Sequence, residues 1–376
     1  MPGMIEPWLA DRTRSFDVSG IRKVFDLAAN MTDPINLSIG QPDFDVSDEV
    51  KEAAVEAIRA GHNGYALSQG MPVLREKLQA EIDRRLGHDD RQVFVTCGTS
   101  GGLMLSLLVL VNPGDEVVLF DPCFGMYGAL VGVAGGTPVY VDTYPGFQID
   151  PGRVAGAITP RTKAIVLNSP CNPTGVVAGR EVVRGLAELA AERGVALLSD
   201  EIYRDFCFDG PFVSPAEFNE RTIVVNGFSK SAGMPGWRLG YAHGPKAIIQ
   251  EMIKLQQYSF VCAPHPFQIA GAAAMDFDVR PHVAAYRRKR DMIVAGLAGH
   301  YELVAPGGAF YAFPKAPGGR AMEFVERAIR EHDLLVIPGE NFSFRDTHFR
   351  ISFAAADEVI ERGIEVLRKM ASRNSF

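Results

Sequence analysis

The sequence predicts an α/β fold: a three-layer α/β/α domain around a mainly parallel seven-stranded sheet, joined to a smaller α+β domain. Two observations predict it. Between about residues 90 and 245 seven β-rich runs alternate with helical segments, and several of those runs are continuously apolar. Strands buried on both faces of a parallel sheet read this way, because helices cover both sides. The runs are Val93–Thr96, Glu116–Phe120, Pro138–Asp142, Ala164–Ser169, Ala196–Glu201, Thr222–Ser229 and Leu239–Gly244. Between them Gly101–Val111, Gly125–Ala134 and Gly179–Arg193 read as crossover helices. Beyond residue 280 the pattern changes. Val283, Tyr286, Met292, Ile293 and Leu297 keep helical spacing over 281–300, followed by shorter strands and amphipathic helices at Ala321–Glu331 and Asp357–Lys369. The expected division is a large domain over 46–285 and a small one built from 1–45 and 286–376.

Length fits two domains, since 376 residues exceed the usual ~100–200 per domain. With 47% apolar and 22% charged residues the chain has ordinary globular composition, which excludes a disordered chain or a fibre. The longest apolar stretch, Leu103 to Val111, is far short of the ~20 residues that span a bilayer. The N-terminus, with Glu6 and Asp11, has no signal-peptide pattern. A net charge of −7 disfavours nucleic acid. The basic cluster Arg287-Arg288-Lys289-Arg290 is expected to be a solvated helix face. Five scattered cysteines without C-x-x-C spacing suggest reduced thiols and no metal site. The expectation is a cytoplasmic protein with no membrane or nucleic-acid partner.

The dinucleotide fingerprint G-x-G-x-x-G, the Walker A loop and H-E-x-x-H are all absent. Gly98-Thr99-Ser100-Gly101-Gly102 fits G-x-S-x-G, so a serine hydrolase using Ser100, with Asp200 and His332 or His348, is a remote alternative. The same loop, between a strand and a helix, also suits a phosphate: backbone N–H groups and two hydroxyls converge there. By itself the pattern equally fits a plain helix start.

The most informative stretch runs from Gly227-Phe228-Ser229-Lys230 to Arg238-Leu239-Gly240. A lysine at a strand's carboxyl end, bracketed by small residues, can form a Schiff base with an aldehyde. Ser229 and Arg238 could hold a phosphate beside it.

This stretch resembles the active-site signature of class I/II aminotransferases, the fold-type I enzymes of pyridoxal 5′-phosphate (PLP). The resemblance extends over several motifs in the family's order, from about Ile35 to Phe353. It implies the fold-type I PLP-transferase architecture and a role for each matching residue. Lys230 looks like the lysine that binds the cofactor's aldehyde and then shuttles a proton. Asp200, in Ser199-Asp200-Glu201-Ile202-Tyr203, looks like the partner of the pyridine nitrogen. Tyr203 and Asn172, the latter in Ser169-Pro170-Cys171-Asn172-Pro173, look like donors to the cofactor's phenolic oxygen. Phe124, in Asp121-Pro122-Cys123-Phe124, matches the aromatic stacked on the ring. Gly98, Thr99, Ser100, Ser229 and Arg238 would hold the phosphate. Tyr65 resembles a tyrosine that reaches the phosphate of a neighbouring subunit, which implies a homodimer with shared active sites. Arg350, in Phe349-Arg350-Ile351-Ser352-Phe353, sits where the family binds the substrate α-carboxylate, and Gly40 resembles the loop whose backbone meets that carboxylate.

The implied reaction is ping-pong transamination from an L-amino acid to a 2-oxo acid, with 2-oxoglutarate the expected acceptor. A cysteine-conjugate β-lyase is the enzyme rival; such lyases usually carry His where Tyr203 stands and another residue at Cys171. Some relatives with acidic substrates place a lysine near Ser100, whereas no lysine occurs here between Lys77 and Lys163. Ser19, Ile21 and Arg22 are candidates for the pocket mouth.

Overall fold

The computed structural model describes residues 8–14, 16 and 31–372, so Ser19, Ile21 and Arg22 lie outside the described residues. A short β1 (Ile35–Asn36) precedes the seven main strands. These are β2 (Arg91–Cys97), β3 (Glu116–Asp121), β4 (Thr137–Asp142), β5 (Thr162–Asn168), β6 (Ala196–Asp200), β7 (Ile223–Gly227) and β8 (Leu239–Pro245). They form one sheet in the order β2-β8-β7-β6-β5-β3-β4, and β8 alone runs against the other six. All seven predicted strands are present. Three end earlier than their apolar runs suggested: β5 stops at Asn168, β6 at Asp200, and β7 at Gly227, where Phe228–Ser231 turns into a short helix.

Helices cover both faces. Gly98–Leu110, Met126–Val133 and Lys246–Gln257 pack a core with Leu103, Leu107, Val131 and Ile249 against one side. Pro151–Ala157 and Arg180–Arg193 cover the other with Val154, Leu186, Ala187 and Ala190. Helices Asp48–Arg59, Pro72–Leu86 and His265–Ala274 cap the β2–β8 end.

The C-terminal part contains β9 (Tyr311–Ala312), β10 (Leu334–Leu335), β11 (Ile337–Pro338) and β12 (Phe349–Ser352). β11, β12 and β9 make a small antiparallel sheet, while β1 pairs in parallel with β10. Helix Ala321–His332 buries Ala321, Phe324, Val325 and Ala328, the i, i+3, i+4, i+7 stripe that drives an amphipathic helix onto a core. Tyr286, Ile293 and Leu297 do the same for helix Arg280–Leu297.

That helix corrects one expectation. The cluster at 287–290 is not simply a solvated face: Lys289 and Arg290 are buried. Lys289 pairs with Asp43, and Arg290 bonds Asp209 at 2.8 Å and the Pro306 carbonyl at 2.8 Å. Buried cations require such partners. Arg287 and Arg288 remain largely exposed.

Candidate active site

In an open α/β sheet the crevice forms beyond the carboxyl ends of the strands, where successive connections leave in opposite directions. Here β4 lies on one side of β3 and β5 on the other. A cavity of about 650 Å³ opens at this edge. The strand ends deliver its chemistry: Thr99 and Ser100 after β2, Phe124 after β3, Asn172 after β5, Asp200 at the end of β6, Ser229 and Lys230 after β7, and Arg238 before β8. Gly40, Tyr203 and Arg350 complete the lining among the residues singled out from sequence.

Gly98 does not line the cavity but shapes its floor. Its φ is +69°, and a Cβ there would lie 2.5 Å from Arg238 Nη2. Only glycine lets the helix start and the guanidinium approach so closely. Gly240 is equally constrained, since a Cβ would meet Thr99 N at 2.7 Å. The Thr99 hydroxyl is buried without a partner, an arrangement that costs stability unless a ligand fills it.

Asp200 is buried, and its carboxylate accepts from the Tyr127 hydroxyl at 2.8 Å and from the Ile202 N–H at 3.1 Å. Burial raises its pKa to about 6; the two hydrogen bonds pull the other way. Lys230 Nζ donates to the Gly40 carbonyl. Burial, with Arg350 and Arg238 adding repulsion, lowers its pKa to about 8 against the attraction of Asp200. Arg350 is 1% exposed. Its Nη1 donates to Asn172 Oδ1 at 2.9 Å and its Nη2 to the Ser38 carbonyl at 2.8 Å, while Nε lacks a partner. Because a guanidinium only donates, Asn172 must present its oxygen to Arg350, which leaves Nδ2 as a free-standing donor on the opposite side.

Tyr65 is not brought to this cavity; it is 87% exposed. For the hydrolase alternative, no histidine is found among the described residues lining the cavity, so Ser100 has no imidazole base there. Among the described residues no cluster of three or more His, Cys, Asp or Glu could hold a metal.

Sequence reasoning missed Tyr127, Tyr311 and Asn168. Asn168 accepts from Asn172 N at 2.9 Å and donates to the Asp200 carbonyl at 3.1 Å, tying the ends of β5 and β6 together. Tyr127 lies three residues after Phe124, in the first turn of helix Met126–Val133, a proximity that could have flagged it.

The family described as aminotransferase class I and II matches residues 32–367. The chain belongs to this family. The aminotransferase is 35% identical to the aspartate aminotransferase of Pyrococcus abyssi, covering 96% of this chain and 98% of that one. It is also 35% identical to the aromatic-amino-acid aminotransferase 2 of Thermococcus litoralis, again over 96% and 98%. The solved aspartate aminotransferase of Thermus thermophilus with maleate superposes with a TM-score of 0.90 at 36% identity, over 96% and 99% of the two chains. The aminotransferase is therefore a transaminase of fold type I that depends on PLP and acts on amino and 2-oxo acids.

The residues present fit that cofactor. An unpartnered buried hydroxyl at a helix N-terminus, with Ser100, Ser229 and Arg238 beside it, suits a phosphate. A carboxylate whose pKa is raised by burial suits a protonated ring nitrogen, whose charge would favour its ionised form. An amine of lowered pKa suits an aldehyde.

Proposed function

We propose that this aminotransferase moves the amino group of an L-amino acid to 2-oxoglutarate by ping-pong transamination, with Lys230 as both the cofactor-bearing amine and the proton carrier. The surroundings of Lys230 carry the proposal: one amine of lowered pKa shares a cavity with a buried carboxylate and two guanidiniums. Bound PLP supplies an aldehyde carbon that condenses with amines and a pyridine ring that accepts electrons from the substrate's α-carbon. Lys230 Nζ would be the nucleophile toward that aldehyde and, as a free amine, the base at the substrate's α-carbon. Asp200 holds the ring nitrogen protonated; a cation beside it favours the ionised carboxylate that burial alone disfavours. The Tyr203 hydroxyl and Asn172 Nδ2 would donate to the phenolic oxygen, and the Phe124 ring would cover the cofactor ring. Gly98, Thr99, Ser100, Ser229 and Arg238 would hold the phosphate. Arg350, with its unpartnered Nε, and the Gly40 backbone receive the α-carboxylate, which orients the α-carbon hydrogen.

The proposed division, 46–285 against 1–45 with 286–376, puts its boundary inside helix Arg280–Leu297. Five free cysteines agree with a reducing cytoplasm, and no helix among the described residues is long and apolar enough to cross a membrane. Relatives named for aspartate and for aromatic amino acids bracket the donors to test. Screening these with 2-oxoglutarate, and following glutamate formation, tests the acceptor. Absence of glutamate with every donor, while another oxo acid turns over, would reject 2-oxoglutarate.

Two further outcomes are expected. PLP uptake by apoprotein should quicken roughly tenfold between pH 7 and 9, since the neutral amine predominates above a lowered pKa of about 8. Lys230→Ala should supply a pH-independent background, and a wild-type rate equally flat would exclude Lys230 as the nucleophile.

The second concerns a homodimer in which Tyr65 serves the partner's phosphate. Tyr65→Asp sets a carboxylate against that dianion, and Lys230→Ala removes the amine. Mixed at equal amounts after co-refolding, about half the dimers hold one site with both lesions and one with neither, so activity returns to about a quarter of wild type. Recovery near zero, with mixed dimers verified by mass, would confine Tyr65 to its own chain.

A further inference from the structure

Tyr311 stands between the two halves of the site. Its hydroxyl lies 2.8 Å from the Tyr203 hydroxyl. Its ring lies 4.5 Å from the Arg350 guanidinium carbon, which Phe342 also approaches at 4.8 Å. Tyr203 and Tyr311 meet edge-to-face, with centroids 5.6 Å apart. Tyr311 is 1% exposed and lies on β9, paired with Ser352 of β12, two residues beyond Arg350. Its hydroxyl also marks the height of the loop above it, since a Cβ on Gly40 would lie 2.8 Å from that oxygen.

Two hydroxyls that share one hydrogen bond own two protons and spend one. When Tyr203 donates to Tyr311, Tyr203 has no proton left for a ligand. When Tyr311 donates, the proton of Tyr203 is free for an acceptor in the cavity, and its oxygen is polarised by the bond it accepts. The charged and titratable groups around the pair are Arg350, Lys230, with Nζ 5.8 Å from the Tyr203 ring centroid, and Asp200. Both phenols are pushed up by burial and stay protonated at neutral pH, so the direction of the shared bond, and not an ionisation, is what Tyr311 controls.

We propose that Tyr311 is a positioning residue: its hydroxyl donates to Tyr203 and so commits the Tyr203 proton to the cofactor's phenolic oxygen, while its ring holds the plane of the Arg350 guanidinium for the substrate carboxylate. The proposal rests on the roles given above to Tyr203 and Arg350. One side chain thus sets the electronics on the cofactor side and the orientation on the carboxylate side.

The hydroxyl is tested by titrating the visible absorbance of the holoenzyme against pH, without substrate. Donation to the phenolic oxygen lowers the basicity of the cofactor's imine nitrogen, so losing a donor raises the midpoint. Tyr203→Phe should raise it by about one unit and Tyr311→Phe by about half a unit. The double variant should match Tyr203→Phe, because Tyr311 acts only through Tyr203. A Tyr311→Phe midpoint equal to wild type, or a double variant whose shift is the sum of the two, would overturn the proposal. An unmoved midpoint in Tyr203→Phe would instead reject the role of Tyr203, and the role of Tyr311 with it.

The ring is tested separately by kinetics. Tyr311→Phe should leave KM for the amino donor within about twofold, whereas Tyr311→Leu should raise it roughly tenfold, the scale of a desolvated cation–π contact. Equal KM in the two variants would refute the role of the ring, and Tyr311→Leu is informative even where Tyr311→Phe yields no folded holoenzyme.

Discussion

Lys230→Ala is expected to abolish transamination while leaving the protein folded. Two functions reside in one atom. Nζ is the nucleophile for the cofactor's aldehyde and the base for the α-proton, and a positioned base alone contributes about 10²–10⁴-fold. No other lysine lines the cavity among the described residues. Loss of the fold does not explain the effect. The ammonium sits close to Arg350 and Arg238, and burial holds its pKa down to about 8, so the protonated form is disfavoured in the native state. In linkage terms, the unfolded chain binds more protons than the native one between about pH 8 and 10.5, so Lys230 lowers stability toward neutral pH. Removing it relieves that penalty, at the loss of one hydrogen bond to the Gly40 carbonyl. Steady-state rates and thermal unfolding measured together check this: turnover should vanish and the melting temperature should hold. Turnover within roughly tenfold of wild type would exclude Lys230 as the base.

Asp200→Asn should bind PLP and lose roughly 10²–10⁴-fold in turnover, the range of an acid–base contribution. Asn is close to isosteric and can accept from Tyr127 or Ile202, but it carries no charge to keep a ring nitrogen protonated. Stability follows the opposite course. Burial raises the native Asp200 pKa to about 6, so between its ordinary value of 3.8 and about 6 the native state binds more protons than the unfolded one. Stability from this group is therefore lost as pH rises through that window, and above it the apoprotein bears a buried carboxylate. Apo Asp200→Asn should be at least as stable as wild type at pH 7.5. A variant with near-normal rates would contradict the assigned role, whereas lost activity with lost PLP affinity would point to a binding defect instead.

The sheet was legible because each central strand is buried on both faces, and a continuous apolar run such as Ala-Ile-Val-Leu at 164–167 has few other readings. Its ends were less so. Ser199-Asp200-Glu201 stays buried past the last paired residue, so burial alone could not mark where β6 stops. The site was legible where one residue type is demanded by chemistry within a local motif, as with Lys230, Asp200 and Arg350. It was not legible where the partner is remote and chemically generic. Tyr311 meets Tyr203 across 108 positions, and Ser38 meets Arg350 through a backbone carbonyl that any residue supplies. Lys289 and Arg290 were misread for the same reason: their acceptors, Asp43 and Asp209, are distant in sequence.

Trapping the cofactor on the protein tests the central claim most directly. Borohydride reduction of the holoenzyme turns the imine into a stable secondary amine, and the modified lysine resists trypsin. The proposed role of Lys230 predicts a phosphopyridoxyl group on an uncleaved peptide spanning Thr222 to Arg238. A label on any other lysine, or an unmodified peptide ending at Lys230 from protein that had been yellow before reduction, would contradict it.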